Sequence, residues 1–332
     1  MTYLFLLGGL FLGWSFGRNN LSNVFGPAIG TRMVSFKWAA ALAGLFILLG
    51  AMLSSSHTMD SMMVLGTIET AFGAFLVSIA IGLTIVVAGY FGIPVSIVQS
   101  SVGAIVGWNL FYHFPNAWHD IGTMVAAWFY CPIIAALFSM ALFYVFRWLL
   151  KKIRIPLLYR DTWVRILLVL SGVYSAYFLG ANNIPAIAGP YLGLDDLSTS
   201  GVVFVIGCAI ATGALMADKR VIETVSTRLF PLSPMEALVV VLSCGWTLYC
   251  FSGNGLQLIL NSLSLPSFPL EPIPTSGVLV GSIVGVGLAK GHMGIRWHQL
   301  TKIILSWILI PVMSGLICWG ILTMLTKGGS VL

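Results

Sequence analysis

The chain has 332 residues, of which 58% are hydrophobic and only 8% are charged, and its formal net charge is +6. Its mean hydropathy is +0.99. Soluble domains carry about 25% charged residues, so this composition excludes a water-soluble globular domain and is typical of a chain that crosses a lipid bilayer several times. The positive charge does not predict a nucleic-acid partner, because the basic residues cluster in a few loops, as they do in multi-pass membrane proteins.

Apolar segments follow one another in two sets of five. The first set covers residues 2–30, 36–53, 70–91, 94–112 and 121–146. The second covers 164–194, 200–217, 235–252, 272–289 and 303–325. The chain is apolar from Tyr3 without a preceding basic stretch, so we expect a membrane helix there and not a cleaved signal peptide. The sequence predicts an N-terminal repeat over 1–146, a basic cytoplasmic linker over 147–163 and a C-terminal repeat over 164–332.

Two similar polar stretches interrupt the first segment of each set. Residues 17–27 read Gly-Arg-Asn-Asn-Leu-Ser-Asn-Val-Phe-Gly-Pro, and residues 180–190 read Gly-Ala-Asn-Asn-Ile-Pro-Ala-Ile-Ala-Gly-Pro. Because glycine and asparagine disfavour helix interiors, we expect helix breaks at 17–23 and 180–183. Backbone groups freed in a membrane are tolerated where they are buried in protein or line a cavity, which favours a binding site. The alternative is that these amides cap helices or join them by hydrogen bonds.

The internal repeat continues beyond the two asparagine stretches. Residues 94–99 pair with 272–277, and a Trp-x-x-x-Pro pattern occurs at 128–132 and again at 307–311. Five crossings per repeat force the halves into opposite orientations, as in many secondary transporters. We therefore predict an all-α polytopic membrane protein built from two inverted repeats of about five membrane-crossing segments each, with broken helices or re-entrant hairpins near the midplane.

The distribution of basic residues predicts the orientation in the membrane. With the linker in the cytoplasm, the loops left outside are 54–61, 113–120, 195–199 and 253–271, and they contain neither Lys nor Arg. Lys327 in the C-terminal tail is the exception. The positive-inside rule then places both termini outside the cytoplasm, and we expect a multi-pass protein of a bacterial plasma membrane.

The candidate substrate-binding residues are the polar side chains of the two asparagine stretches and of the two segments that begin at a proline. Arginine suits tetrahedral oxyanions because its planar fork donates several hydrogen bonds. The alternatives are that the arginine reaches the lipid headgroups and that the hydroxyls only join helices. The predicted set is Arg18, Asn19, Asn20, Asn23, Ser96, Gln99, Asn182, Asn183, Thr275 and Ser276.

The sequence gives no indication of enzymatic chemistry. It contains no paired catalytic carboxylates, no His-rich metal set, no nucleophile elbow and no phosphate-binding P-loop. The five cysteines lie in apolar sequence without metal-ligand spacing, which is typical of small core residues. We expect no enzyme, no metal site and no cofactor.

The doubled motif resembles the inorganic phosphate transporter (PiT) family, which includes bacterial sulfate permeases. That family carries Gly-Ala-Asn-Asp-x-x-Asn in each inverted repeat, a Pro-Val-Ser segment and a Trp-x-x-(Ser/Thr)-Pro helix. The corresponding residues here are 17–23 and 180–186, 94–99 and 272–277, and 128–132 and 307–311. The resemblance covers nearly the whole chain and implies a transporter that binds an inorganic anion near the midplane.

The departures from the family pattern concern the substrate. Asn20 and Asn183 replace the family aspartates, Ala186 replaces the last asparagine of the second motif, and Arg18 replaces an alanine. Phosphate keeps a proton near neutral pH and can donate it to a carboxylate, whereas sulfate has none, so a facing carboxylate repels it. Exchange of Asp for Asn removes that repulsion and adds an N–H donor. These changes favour sulfate.

The leading hypothesis is therefore a secondary active transporter that imports sulfate, or a related oxyanion, by cation- or proton-coupled symport with alternating access. The alternatives are a phosphate symporter driven by Na⁺ or H⁺, a passive anion channel, and a scaffold or receptor that has lost transport. Loss of both carboxylates weakens the case for Na⁺ and favours H⁺ as the coupling ion. The sequence is compatible with a homodimer and does not specify the number of copies.

Overall fold

The structure, a computed structural model, describes residues 2–54, 68, 70–152, 157–192, 198–266, 268–291 and 294–327. Twelve α-helices and no strand occur within these residues. They are α1 Thr2–Gly30, α2 Phe36–Ser54, α3 Ala71–Tyr90, α4 Ile97–Phe111, α5 Trp118–Lys152, α6 Leu157–Ala188, α7 Thr199–Leu215, α8 Lys219–Glu223, α9 Pro234–Ser252, α10 Asn254–Ser262, α11 Thr275–Ala289 and α12 Trp297–Lys327.

Every predicted apolar segment is helical over most of its length. The helices on either side of the predicted linker are longer than expected, because α5 continues to Lys152 and α6 begins at Leu157. The stretch 147–163 is therefore helical at both ends, and its central residues 153–156 lie outside the described part. Most of the predicted outer loops 54–61 and 195–199 also lies outside it. The division into domains at 147 and 163 stays a prediction.

Within the part of the chain that the structure describes, six helices are long and apolar enough to cross a membrane: α2, α3, α5, α6, α9 and α12. The pair formed by α7 and the segment Lys219–Arg228 counts as a seventh if the two parts, bent by 71°, form one span. The helices α4 and α11 have 15 residues each. Such a helix is about 22 Å long, too short for a hydrocarbon core of about 30 Å. These two helices therefore cannot each cross the bilayer alone.

The two repeats contact each other reciprocally. Helix α1 packs on α7 while α2 packs on α6, and α4 packs on α12 while α5 packs on α11. The same reciprocity holds for single residues. A methyl group added at Gly17 would collide with the carbonyl oxygen of Ile210, and one added at Gly180 would collide with that of Ile47. Equivalent positions of the two repeats are 163 residues apart, so Gly17 corresponds to Gly180 and Ile47 to Ile210. Reciprocal contacts of this kind indicate a two-fold axis.

The expected helix breaks at 17–23 and 180–183 are wrong, because α1 and α6 run through both stretches without interruption. The asparagine side chains bond back to their own helices: Asn20 Nδ2 donates to Phe16 O over 3.2 Å, and Asn183 Nδ2 donates to Leu179 O over 2.9 Å. The glycines serve close helix packing instead of a break. The predicted fold class is nevertheless confirmed, since the broken elements lie elsewhere. They are the bent α7–α8 pair and the non-helical stretches before α4 and α11.

Substitution of Gly180 by alanine tests whether this residue serves packing. The higher helix propensity of alanine stabilises the folded protein by up to about 1 kcal/mol, but overpacking against Ile47 destabilises it by about 1–3 kcal/mol. We therefore expect Gly180→Ala to lower the thermal unfolding midpoint of the protein in detergent. The matched control is Gly320→Ala in α12, where no atom lies within 4 Å of the added methyl group, and it should leave the midpoint unchanged or raise it. Equal midpoints for the two variants would contradict the packing role.

Candidate functional site

One asparagine of each motif holds the non-helical stretch before a short helix. Asn19 Nδ2 donates to Ile93 O over 3.2 Å, and its Oδ1 accepts from the N–H of Val95 over 3.0 Å. In the second repeat, Asn182 Nδ2 donates to Ile273 O over 2.9 Å, and its Oδ1 accepts from the N–H of the same residue over 3.0 Å. Each amide therefore supplies both the donor and the acceptor that a buried non-helical backbone requires. The two motifs thereby set where α4 and α11 begin.

The remaining asparagines of the first motif contact the start of α11 in the second repeat. Asn23 Nδ2 donates to Asn20 Oδ1 over 2.5 Å and lies 3.2 Å from Thr275 Oγ1, which is 3.4 Å from Asn20 Oδ1. The second motif contacts the first repeat in turn, since Ser101 Oγ of α4 donates to Ala186 O of α6 over 3.3 Å. Four elements therefore meet at one place: α1, α6 and the starts of α4 and α11.

Several polar atoms at this junction lack a hydrogen-bond partner among the described residues. They are Ser96 Oγ, Gln99 Nε2, Asn183 Oδ1 and Ser276 Oγ, and each side chain is at most 1% exposed. An unpaired buried polar atom costs about 1–3 kcal/mol, so four of them on three of these elements, α4, α6 and α11, favour a place that a polar ligand fills.

The two helix starts add backbone donors to the same junction. The first N–H groups of a helix have no partner within the helix and carry a partial positive charge, which favours an anion. Neither Ser96 at the N-cap of α4 nor Pro274 at that of α11 makes a side-chain capping bond. The junction thus offers hydroxyls, one amide N–H group and backbone N–H groups to a small anion.

Nine of the ten predicted site residues lie at this junction, all at most 1% exposed. Arg18 is the exception. Its Nη2 forms an ion pair with Asp218 Oδ1 over 2.8 Å, its guanidinium lies over the Trp14 ring, and its side chain is 27% exposed. The N–H of Asp218 also donates to Arg18 O over 3.0 Å. The positive charge of Arg18 is therefore balanced by a carboxylate, and a direct contact between Arg18 and a substrate stays a prediction.

Each of the two asparagines that replace the family aspartates uses one of its two Nδ2 N–H groups within its own helix. Their Nδ2 atoms bond to the carbonyls of Phe16 and Leu179, so Asn20 and Asn183 turn their oxygens the other way. Asn20 Oδ1 accepts from Asn23, while Asn183 Oδ1 is unpaired. The Asp-to-Asn exchange changes the charge at these two positions. The unpaired donors at the junction belong to Ser96, Gln99 and Ser276 and to the helix starts.

Sequence reasoning missed three residues that support the site. Ser101 joins α4 to α6, Ser252 Oγ donates to Asn182 Oδ1 over 3.1 Å, and Asp218 pairs with Arg18. The position of Ser101 in a Ser- and Gly-rich segment was a usable signal. No pattern in the sequence connects Asp218 with Arg18, because 200 positions separate them.

Asn182 holds the backbone of Ile273, whereas its neighbour Asn183 bonds within α6. The two residues therefore allow a matched test of these two roles. Asn182→Ala leaves the N–H and C=O of Ile273 and the hydroxyl of Ser252 without their partner, at about 1–3 kcal/mol for each group. Asn183→Ala removes one bond within α6 and should cost about 1 kcal/mol or less. We expect thermal unfolding in detergent to show a large loss of stability only for Asn182→Ala. Similar losses in both variants would contradict the assignment of Asn182 to the backbone of Ile273.

Comparisons with known proteins agree with this architecture. The sequence profile described as "Phosphate transporter family" matches residues 16–318. The chain is 26% identical to the "Putative phosphate permease" of Methanocaldococcus jannaschii, over 94% of each chain. It is also 26% identical to the "Sulfate permease CysP" of Bacillus subtilis, over 97% of this chain and 87% of that protein.

A solved structure has the same fold. It is titled "The sodium-dependent phosphate transporter", shares 21% identity with this chain, covers 96% of it and 98% of its own length, and superimposes with a TM-score of 0.74. The profile match extends over far more than half of the chain. This multi-pass membrane protein therefore belongs to the phosphate transporter family, whose members transport anions and are not enzymes.

Proposed function

We propose that the chain is a secondary active transporter that imports sulfate by symport, with alternating access to the junction of α1, α4, α6 and α11. The observation that carries the proposal is the neutrality of this junction. Its buried side chains are amides and hydroxyls: Asn19, Asn20, Asn23, Ser96, Gln99, Asn182, Asn183, Thr275 and Ser276. No carboxylate makes a hydrogen bond to any of them within the described residues.

Charge decides between the two tetrahedral oxyanions. Two unit charges of the same sign about 4 Å apart repel by roughly 4 kcal/mol at an effective dielectric constant of about 20. A carboxylate at residue 20 or 183 would impose that penalty on sulfate, which has no proton to share. Phosphate can offset the penalty by donating its proton to the carboxylate. A junction built from neutral groups removes the penalty and leaves the hydroxyls and N–H groups to bind an acceptor-only anion.

Import of a dianion requires a coupling ion. Movement of one negative charge against an inside-negative potential costs about 2.3 kcal/mol per 100 mV, and sulfate carries two charges. Cotransported cations offset this cost, and H⁺ is the ion that we propose. Na⁺ is the alternative, because the oxygen atoms of Asn20 and Asn183 resemble the hard ligands that Na⁺ prefers.

Phosphate is the second candidate substrate. It is favoured by the description of the family and by the unpaired Oδ1 of Asn183, which can accept the proton of a phosphate ion. This oxygen would give sulfate no hydrogen bond. The Oδ1 of Asn183 would therefore form a hydrogen bond with phosphate and none with sulfate.

Competition in proteoliposomes distinguishes these functions. Uptake of labelled sulfate should be inhibited by excess unlabelled sulfate or thiosulfate and only weakly by phosphate, because the neutral Oδ1 of Asn183 accepts the phosphate proton less strongly than a carboxylate would. Uptake should also exceed equilibrium when an ion gradient is imposed. Strong inhibition by phosphate together with weak inhibition by sulfate would reverse the assignment of the substrate. Flux that never exceeds equilibrium under either a pH or a Na⁺ gradient would instead indicate a passive channel.

A second test restores the family's carboxylate. Asn20→Asp places a negative charge beside Asn23 and Thr275, and we expect sulfate uptake to fall about tenfold or more while inhibition by phosphate becomes stronger. The control is Asn116→Asp, outside the junction, where Asn116 Oδ1 accepts a bond from Asn109. Wild-type uptake in the Asn20→Asp variant would exclude this residue from the site.

A further inference from the structure

Two half-buried carboxylates, Asp120 and Glu271, have no cationic partner among the described residues, and Glu271 is the one that lies beside the site. Three of the described carboxylates are in ion pairs: Asp218 with Arg18, Glu223 with Arg228 and Glu236 with Lys290. Glu271 is not, although its side chain is half-buried. A half-buried carboxylate without a cation nearby is a group that binds a proton readily.

The backbone connects Glu271 directly to the substrate junction. The next three residues, Pro272, Ile273 and Pro274, are buried, and Ile273 is the residue that Asn182 holds by both its N–H and its C=O. Two extended residues span at most about 7 Å, so the backbone of Glu271 lies within that distance of the backbone that Asn182 binds. Glu271 therefore marks the boundary between the predicted outer loop and the buried start of α11.

Titratable groups of α5 lie close enough to Glu271 to interact with it electrostatically. The charge of Asp120, in the first turn of that helix, acts on Glu271, and the charge of Glu271 acts in turn on Tyr130 and Cys131 further along it. Burial raises the pKa of the Glu271 carboxyl above its ordinary value, and the negative charge of Asp120 raises it further. Both effects increase the protonated fraction of Glu271 at mildly acidic pH.

We propose that Glu271 is the proton-binding group that couples proton entry to oxyanion uptake. This inference rests on the proposed function and specifies its coupling site. When Glu271 is ionised, its negative charge opposes the arrival of a divalent anion at the start of α11. When a proton from the water outside binds to a carboxylate oxygen, that opposition is removed. The anion in turn favours the protonated form, because the linkage between two ligands is reciprocal.

In this linkage each ligand raises the affinity of the site for the other, as symport requires. A proton and an anion bind together on the side where both are available, and departure of the anion on the other side lowers the proton affinity of Glu271 again. The proton then leaves to water on that side. Symport also requires that the site reorients either with both ligands bound or with neither, so that the form with only the proton and the form with only the anion stay in place.

Proton uptake on anion binding measures the linkage directly. When sulfate is added to the purified protein in weakly buffered detergent solution, we expect the wild type to take up protons, most strongly near the pKa of Glu271. Glu271→Gln should bind sulfate without proton uptake, and in proteoliposomes it should lose accumulation driven by a pH gradient. Asp120→Asn should keep proton uptake but shift its optimum to lower pH, because a negative charge that raises the pKa of Glu271 has been removed. The exposed Glu223→Gln is the control and should match the wild type.

The possible results distinguish failure of the proposed role of Glu271 from failure of the proposed transport function. Proton uptake that persists in Glu271→Gln would overturn the role of Glu271, as would an unshifted pH optimum in Asp120→Asn. The Asp120→Asn measurement decides the matter if Glu271→Gln fails to fold. Proton-independent sulfate accumulation driven by Na⁺ in the wild type would also overturn it and leave the substrate assignment standing. A wild type that binds neither sulfate nor phosphate would contradict the proposed function itself.

Discussion

The structure depends on one constraint, which is that polar backbone buried among apolar helices must find its hydrogen-bond partners within the protein. The non-helical stretches before α4 and α11 meet that constraint through Asn19 and Asn182, whose amides bond to the N–H and C=O groups there. Because these amides belong to α1 and α6, the motif helices and the two short helices are held together. The junction is a consequence of this arrangement, since it lies where the four elements meet.

Much of this arrangement could be predicted from the sequence, because the two repeats have similar residues at equivalent positions. The offset that aligns the two motifs also relates the contacts of Gly17 and Gly180 across the two-fold axis. The continuity of α1 and α6 through the two asparagine stretches could not be predicted. A Gly-Asn-Asn stretch is compatible with a cap or with a continuous helix, and the choice depends on whether the amide finds a carbonyl one turn earlier, as Asn20 and Asn183 do. The partner of Arg18 was equally hidden, since only the folded chain brings Asp218 near it.

The electrostatics of the site differ from the simplest expectation in an informative way. Arg18 does not add a free positive charge, because Asp218 balances it, and Asn20 is neutral and donates to Phe16 O within its own helix. The attraction for an anion then rests on hydroxyls, one glutamine amide and the starts of two helices. An anion in a site without a free cation is sensitive to any nearby carboxylate, and this sensitivity gives Glu271 its proposed role in coupling.

The central claim is that both asparagine motifs build one oxyanion site. A crystal structure of the protein soaked with selenate, a tetrahedral dianion that resembles sulfate, tests it most directly through the anomalous signal of selenium. The account predicts one strong peak at the junction, within hydrogen-bonding distance of Ser96, Gln99 and Ser276. A peak beside Arg18 and away from the junction, or separate peaks at the two motifs, would contradict it.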